Sequence, residues 1–284
     1  MAKLEELTEH TAVDTTIQMT TRSSVIGGIS LGYYCIAIDS GNPLLVGQEF
    51  RKNLESFFNL PVKYLFLTHV HSDHRGGMDA FKDGILLVSQ KCKNNMPKST
   101  RLSKWTIETF DKKLILEEND LSVEFHLVAG HSIGSSVAYV PSEKVLFGGD
   151  LFFVEPINLG MPFMGLYQNT PKRTGNPEEY LSAFAKFKSM RIDFIVPGHG
   201  DVIRNPQEYL NEQIFFFKSL KSFILDAINE GKNLDEIELP KIGQIKRAYE
   251  IIEGKTQKSK ALKFMDTILD WLKKSFYNYY SGNF

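Results

Sequence analysis

Cysteine is scarce in this chain of 284 residues: Cys35 and Cys92 are the only two. They stand far apart, which excludes a disulfide framework and a CxxC redox or metal motif and fits a reducing compartment. Both read as plain buried thiols. A surplus of either charge is also missing, with 33 Lys and Arg against 34 Asp and Glu. Without a basic block there is no electrostatic footprint of a nucleic-acid binder, so no nucleic-acid partner is expected. No apolar run approaches membrane-spanning length, and the charged start Met1-Ala2-Lys3-Leu4-Glu5-Glu6-Leu7 lacks the apolar core of a secretory signal. The expectation is a cytoplasmic protein with no membrane partner. Repeats of solenoid period and low-complexity tracts are absent as well.

What is present begins with short runs of strand character at 17–19, 24–26, 33–39, 44–46 and 62–67. Gly27-Gly28 reads as a hairpin turn, with a flap over a site as the alternative. A helix at 48–58, a strand at 85–88 and a helix at 89–95 follow, then a second series of strands at 113–116, 121–127, 136–140 and 144–147. A helix at 177–189, with Pro177 in its first turn, leads into a strand at 194–196. Beyond Asp201 the pattern turns helical, at 206–229 and 256–280. The length suits one catalytic domain, 1–205, with a helical extension, 206–284, packed on it. Phe215-Phe216-Phe217 spreads aromatics around too much of its helix for one buried face. Core packing, a pocket mouth or a partner subunit would cover the rest, and a homodimer through the C-terminal helices is one expectation.

The chemistry concentrates at 68–74, where Thr68 is followed by His69, His71, Asp73 and His74, three of the seven histidines in the chain. The apolar strand before it would deliver these side chains at its carboxyl end. Imidazole and carboxylate at this spacing are metal ligands, and a catalytic zinc keeps one position for water. One loop cannot surround a metal, so further ligands must come from elsewhere. His131 in Gly130-His131-Ser132, Asp150 in Gly148-Gly149-Asp150 and His199 in Pro197-Gly198-His199-Gly200 all stand beside glycines at strand ends. Glycine there lets the backbone crowd a metal without side-chain collision. His10 and His126 match no motif, and His126 reads as a structural residue of an alternating strand.

These four motifs, in this order, resemble the metallo-β-lactamase superfamily over about residues 17–205. The resemblance implies an α+β fold, a four-layer αββα sandwich with a metal site along one edge of its sheets, here followed by the C-terminal helical extension. It also implies that His69, His71 and His131 hold one metal, that Asp73, His74 and His199 hold a second, and that Asp150 bridges them. Two Zn2+ ions are the expected cofactor, with iron or manganese as alternatives. A water held between two such metals loses its proton near neutrality, and the metals polarise the carbonyl or phosphoryl oxygen under attack. Asp73 would be ligand and catalytic acid/base together, orienting the nucleophile and passing its proton to the leaving group. Asp39, in Ile38-Asp39-Ser40-Gly41, matches an element that supports the histidine loop from behind the ligands.

The expected reaction is hydrolysis of a small ester, thioester or lactone, with β-lactam turnover as a side activity. Phe153, Phe163, Met164 and Tyr167 follow the bridging aspartate in an unusually apolar stretch and would line an acyl pocket; Lys172 and Arg173 read as solvated or as carboxylate partners. After Asp150 the chain lacks the Gly-Cys-Gly-Arg element of glyoxalase II, and it has Phe153 where acyl homoserine lactonases place a tyrosine. It has His71 where flavodiiron proteins carry glutamate, and neither the basic surface of processing nucleases nor the signal peptide of secreted β-lactamases. The alternatives are a mononuclear-iron persulfide dioxygenase of the same fold, a phosphodiesterase, and a noncatalytic metal-binding module. Metal content and oxygen consumption distinguish the first of these.

Overall fold

A computed structural model describes residues 3–17, 23–154, 160–162, 164 and 175–282. Two compact units emerge, the first formed by Met1–Val128, Gly134–Phe152 and Arg191–Arg204, the second by Ala129–Ile133, Phe153–Met190 and Asn205–Phe284.

The first unit is built on two sheets. Seven strands lie in sequence order in one of them: β1 (Glu5–Thr8), β2 (Thr11–Asp14), β3 (Ile26–Ser30), β4 (Cys35–Ile38), β5 (Val62–Phe66), β6 (Ile85–Ser89) and β7 (Thr106–Phe110). Pairing is antiparallel up to β4 and parallel from β4 to β7. The second sheet holds β8 (Lys113–Glu118), β9 (Leu121–Leu127), β10 (Ser136–Val140), β11 (Val145–Phe153) and β12 (Phe194–His199), in the order β12-β11-β10-β9-β8.

The period of two along each strand sorts residues into two cores. Ile36, Ile38, Tyr64 and Phe66 of the first sheet meet Phe125 and Phe147 of the second, with the Phe66 and Phe125 ring centroids 4.8 Å apart. The intervening residues Cys35, Ala37, Leu65 and Leu67 point the other way and pack with Phe50 and Leu54 of α1 (Leu44–Phe58). Burying each such aromatic side chain is worth about 1.5–3 kcal/mol. Strands buried on both faces read as continuous apolar runs, as 62–67 does.

Two sequence-based expectations are corrected in this unit, and three strands, β1, β2 and β7, are added to them. The run 44–46 is helix, not strand: Pro43 precedes the first turn of α1, Leu44 and Leu45 are exposed, and only Val46 turns inward. Gly27-Gly28 lies inside β3 and makes no turn. A Cβ on Gly27 would stand 2.6 Å from the Phe147 ring and one on Gly28 would collide with Leu54, so these glycines serve close approach on both faces of the sheet. Strands β1 and β7, which the apolar pattern does not signal, are the edges of the seven-stranded sheet. Their EELT and TIETF sequences carry the charge that blunts an open edge. Of the expected strand 17–19, Ile17 is helical and residues 18 and 19 lie outside the described residues.

The second unit is mostly helical, with α4 (Pro177–Lys188), α5 (Pro206–Asn229), α6 (Gly243–Glu253) and α7 (Lys258–Ser281); the numbers α2 and α3 belong to the short helices Ser72–Arg75 and Gln90–Asn95. Helix α6 has no counterpart among the sequence-based expectations. Asn176 caps α4 by accepting the Glu179 N–H at 2.8 Å, and Pro177 follows at the first helical position. The aromatic run on α5 divides: Phe216 and Phe217 are fully buried while Phe215 is 67% exposed. Phe217 packs its ring 4.9 Å from Tyr180 and 5.6 Å from Phe276, which ties α4, α5 and α7 together.

Candidate metal centre

The loop 68–74 leaves the carboxyl end of β5, runs into the single turn α2, and is tied down along its length. Ser136 donates its N–H to Thr68 O at 2.9 Å, Ser24 donates to Asp73 O at 3.2 Å, and Ser40 donates to His74 O at 2.7 Å from its N–H and 2.9 Å from its hydroxyl. Arg75 turns back to donate to Val70 O at 2.7 Å. The histidines are thus carried on a backbone fixed by its neighbours, not on a free surface loop.

Asp39 ends β4 in the left-handed region, φ 57°, and is nearly fully buried. Its carboxylate accepts the Thr68 N–H at 2.8 Å and the Thr68 hydroxyl at 2.9 Å. It also lies 2.7 Å from His74 Nδ1. The Thr68 hydroxyl, having given its proton to Asp39, is left with a lone pair facing His69 Nδ1 at 3.1 Å. This network assigns the proton to Nδ1 of both His69 and His74 and turns the Nε2 lone pairs the other way.

Both Nε2 atoms face Asp150. Its Oδ1 lies 2.9 Å from His74 Nε2 and 3.5 Å from His199 Nε2, and its Oδ2 lies 3.6 Å from His69 Nε2. Asp73 Oδ2 lies 3.1 Å from His199 Nε2 and 3.6 Å from His74 Nε2. Asp73, His74, Asp150 and His199 form a group whose ligand atoms all lie within 4.8 Å of one another, and the same span holds for His69, His71 and Asp150. The His69 and His71 rings stand 4.5 Å apart, edge to face. Lone pairs of imidazole and carboxylate aimed at one another repel unless a cation or protons lie between them. That donor set, nitrogen and oxygen in groups of three and four, suits a divalent metal.

Space is reserved for the carboxylate as well. A Cβ on Gly198, one residue before His199, would collide with Asp150 Oδ1, and one on Gly149 would stand 2.7 Å from Thr68 Oγ1. Gly149 and Gly198 therefore permit contacts that no other residue allows. With no metal bound, the charges compensate among themselves. Burial pushes the His74 pKa down, but Asp150, Asp39 and Asp73 outweigh it and hold it well above the usual imidazole value. Burial likewise pushes the Asp73 carboxyl up, and His74 with His199 outweighs it, so that it sits below the usual carboxylate range.

His131 belongs to the second unit, on Ala129–Ile133, and is fully buried. Its ring centroid stands 6.2 Å from that of Phe153. Phe153 and Met164 are buried, whereas Phe163, Tyr167, Lys172 and Arg173 lie outside the described residues. The two histidines without a motif are engaged elsewhere, His126 Nε2 at 2.8 Å from Glu124 and His10 Nδ1 at 2.6 Å from Glu143. The sequence reading missed the Thr68 hydroxyl, which lies inside the histidine motif, and the first turn of α4, whose Asn-Pro start signals a helix but no link to a ligand. Among the described residues no helix is long and apolar enough to cross a membrane.

Known proteins resemble the chain in sequence and in fold. The profile of the metallo-beta-lactamase superfamily matches residues 34–199. The chain is 25% identical over 210 residues to a beta-lactamase-like protein 2 homolog of Caenorhabditis elegans, covering 72% of this chain and 65% of that protein. It is 31% identical over 111 residues to a hydroxyacylglutathione hydrolase of Pelagibacter ubique, covering 38% of this chain and 43% of that one. The chain thus spans less than two thirds of each of these relatives. Among solved structures, a metallo-beta-lactamase from Pontibacter korlensis superposes with a TM-score of 0.60 at 19% identity, over 77% of this chain and 99% of that one, which establishes the fold. With its sheets, its helices and its clustered histidines and aspartates, the chain belongs to the metallo-beta-lactamase superfamily.

Proposed function

We propose that this chain is a dinuclear zinc hydrolase that cleaves a small ester, thioester or lactone, with β-lactam turnover as a side activity. Asp150 carries the reading, because its Oδ1 faces His74 and His199 while its Oδ2 faces His69. A carboxylate placed in that way would serve two metals, of which His69, His71 and His131 would hold one and Asp73, His74 and His199 the other. Bound there, the metals would bring the pKa of a water toward neutrality and polarise the oxygen under attack.

The rest of the work falls to the chain itself. The Asp73 side chain is 30% exposed against 5% for Asp150, so it is the carboxylate of this group that a substrate can reach. It orients the attacking water and carries a proton toward the leaving group. Asp39 and Thr68 touch no substrate; they fix the tautomer and the aim of His74 and His69. The likeness to a hydroxyacylglutathione hydrolase supports a thioester. The sequence Leu151-Phe152-Phe153 after Asp150 replaces the Gly-Cys-Gly-Arg element of glyoxalase II and speaks against glutathione as the thiol half. Phe153 and Met164 suit an apolar acyl group. A small-molecule substrate and a cytoplasmic setting complete the reading. So does a homodimer through the C-terminal helices, supported by the exposure of Phe215.

The test is a panel of chromogenic esters, thioesters, lactones and β-lactams offered to the zinc-loaded chain and to Asp73→Asn. Turnover of at least one acyl class is expected, with kcat reduced at least about 100-fold in Asp73→Asn while metal content is retained. Absence of turnover on every class, or full turnover by Asp73→Asn, would refute it.

A further inference from the structure

We infer that the first turn of α4 is a positioning clamp for His131, in which Asn176 and Glu179 grip Gly130 while Gly175 leaves the room that the grip needs. The inference rests on the proposal that His131 is a metal ligand and names what in the second unit sets its position.

The approach to His131 is an unusual piece of backbone. Ala129 and Gly130 both lie in the left-handed region, φ 56° and 96°, and the last paired strand, β9, has ended at Leu127. Two successive left-handed residues, one of them alanine, cost about 1–2 kcal/mol and persist only where neighbours hold them. The holding groups come from the start of α4. Asn176 donates its N–H to Gly130 O at 3.0 Å, and Gly130 donates its own N–H to the Glu179 carboxylate at 3.4 Å. Both polar groups of the Gly130 backbone therefore end on one helical turn.

That turn is itself stiff. The Asn176 side chain accepts the Glu179 N–H at 2.8 Å, which places the Glu179 side chain relative to the Asn176 backbone, and Pro177 fixes φ between them. Closeness is built in as well: a Cβ on Gly175 would collide with Gly130 O and stand 2.6 Å from Gly130 C and 2.7 Å from His131 C. Backbone atoms cannot swing aside as a side-chain tip can, so residue 175 must be glycine for the loop to lie where it does. On the ring side, Phe153 faces the imidazole, and its carbonyl accepts the Tyr209 hydroxyl at 3.0 Å.

His69 and His74 take their aim from Thr68 and Asp39 in the first unit, whereas His131 takes its backbone position from α4 in the second. The two supports are separable by substitution. Outer residues that orient a metal ligand contribute about 10–100-fold in metal affinity.

The experiment is a competitive-chelator titration of the full chain with zinc, resolving two binding steps, on the wild type, Glu179→Ala, Glu179→Gln, Gly175→Ala and His131→Ala. Circular dichroism of each metal-free chain checks the fold. Glu179→Ala and Gly175→Ala are expected to weaken one step by about 10–100-fold and leave the other unchanged. Glu179→Gln, which keeps an amide oxygen to accept the Gly130 N–H, should recover most of the loss. His131→Ala should abolish the same step. Should Gly175→Ala fail to fold, Glu179→Ala decides alone. Normal binding of both metals by Glu179→Ala, with one step lost in His131→Ala, overturns the clamp. Normal binding of both by His131→Ala instead overturns the ligand assignment on which it rests.

Discussion

Asp39 and His74 form a buried pair, Oδ2 to Nδ1 at 2.7 Å, in which the carboxylate that orients the imidazole is also the acceptor for the Thr68 backbone. One side chain thereby sets the aim of two histidines, His74 directly and His69 through the Thr68 hydroxyl.

Asp39→Ala is expected to leave His74 Nδ1 and the Thr68 N–H buried without their acceptor. Removing one partner of a buried charged pair costs about 3–5 kcal/mol, and metal affinity should fall by about 10–100-fold. Urea unfolding of the metal-free chain reads the first and chelator competition the second. An Asp39→Ala chain that binds metal like the wild type would show that Asp39 matters to the fold alone.

Stability of the metal-free chain should depend on pH through the same cluster. His74 has a folded-state pKa well above 6.5, so its contribution is complete below the unfolded value of 6.5 and is lost as pH rises through the folded value. Asp73 behaves oppositely: its pKa is lowered from 3.8, so its contribution is present above 3.8 and is lost as pH falls through the folded value. The urea midpoint of chelator-stripped protein should hold a plateau between these limits and decline on the alkaline side, and His74→Gln should flatten that decline. A wild-type midpoint that rises across the alkaline side would contradict the charge balance described for His74.

Gly198→Ala tests the space kept for the Asp150 carboxylate. The added methyl meets Asp150 Oδ1 and, at 2.8 Å, the Asp150 backbone nitrogen, so Asp150 must move. A cost of about 1–3 kcal/mol is expected, together with weakened binding of both metals, since the proposed bridge through Asp150 would serve both. Loss of one binding step alone would argue against the bridge.

The two thiols should be silent in the folded protein. Both are fully buried; burial pushes the Cys35 thiol up to about 12, and burial with Asp39 nearby pushes Cys92 higher still. The thiolate is the reactive form, so a chromogenic disulfide reagent at mildly alkaline pH should label neither until denaturant is added, and then both. Fast labelling of the native chain would place one of them at the surface.

The parts of the fold that the sequence discloses are those whose physics is local. Val62 to Leu67 reads as a buried strand because both its faces are apolar, and the 68–74 ligands read as a site because metal chemistry demands rare residue types close together. Gly27-Gly28 misleads because composition cannot distinguish a turn from close packing; the reason for these glycines is Phe147 and Leu54, far away in the chain. The edge strands β1 and β7 stay hidden because an edge needs charge, and charge erases the strand pattern. The grip of Asn176 and Glu179 on Gly130 is invisible for the same reason as the glycines: one half carries a cap signal, the other a glycine beside a histidine, and nothing local joins them.

The most direct test of the central claim is the metal content of the zinc-loaded, desalted chain, measured by mass spectrometry of the metals alongside thioester turnover. About two zinc ions per chain are expected, falling to about one in His199→Ala, with hydrolysis lost in parallel. A single iron per chain as purified, no uptake of a second metal, and oxygen consumption on a persulfide would contradict the dinuclear hydrolase.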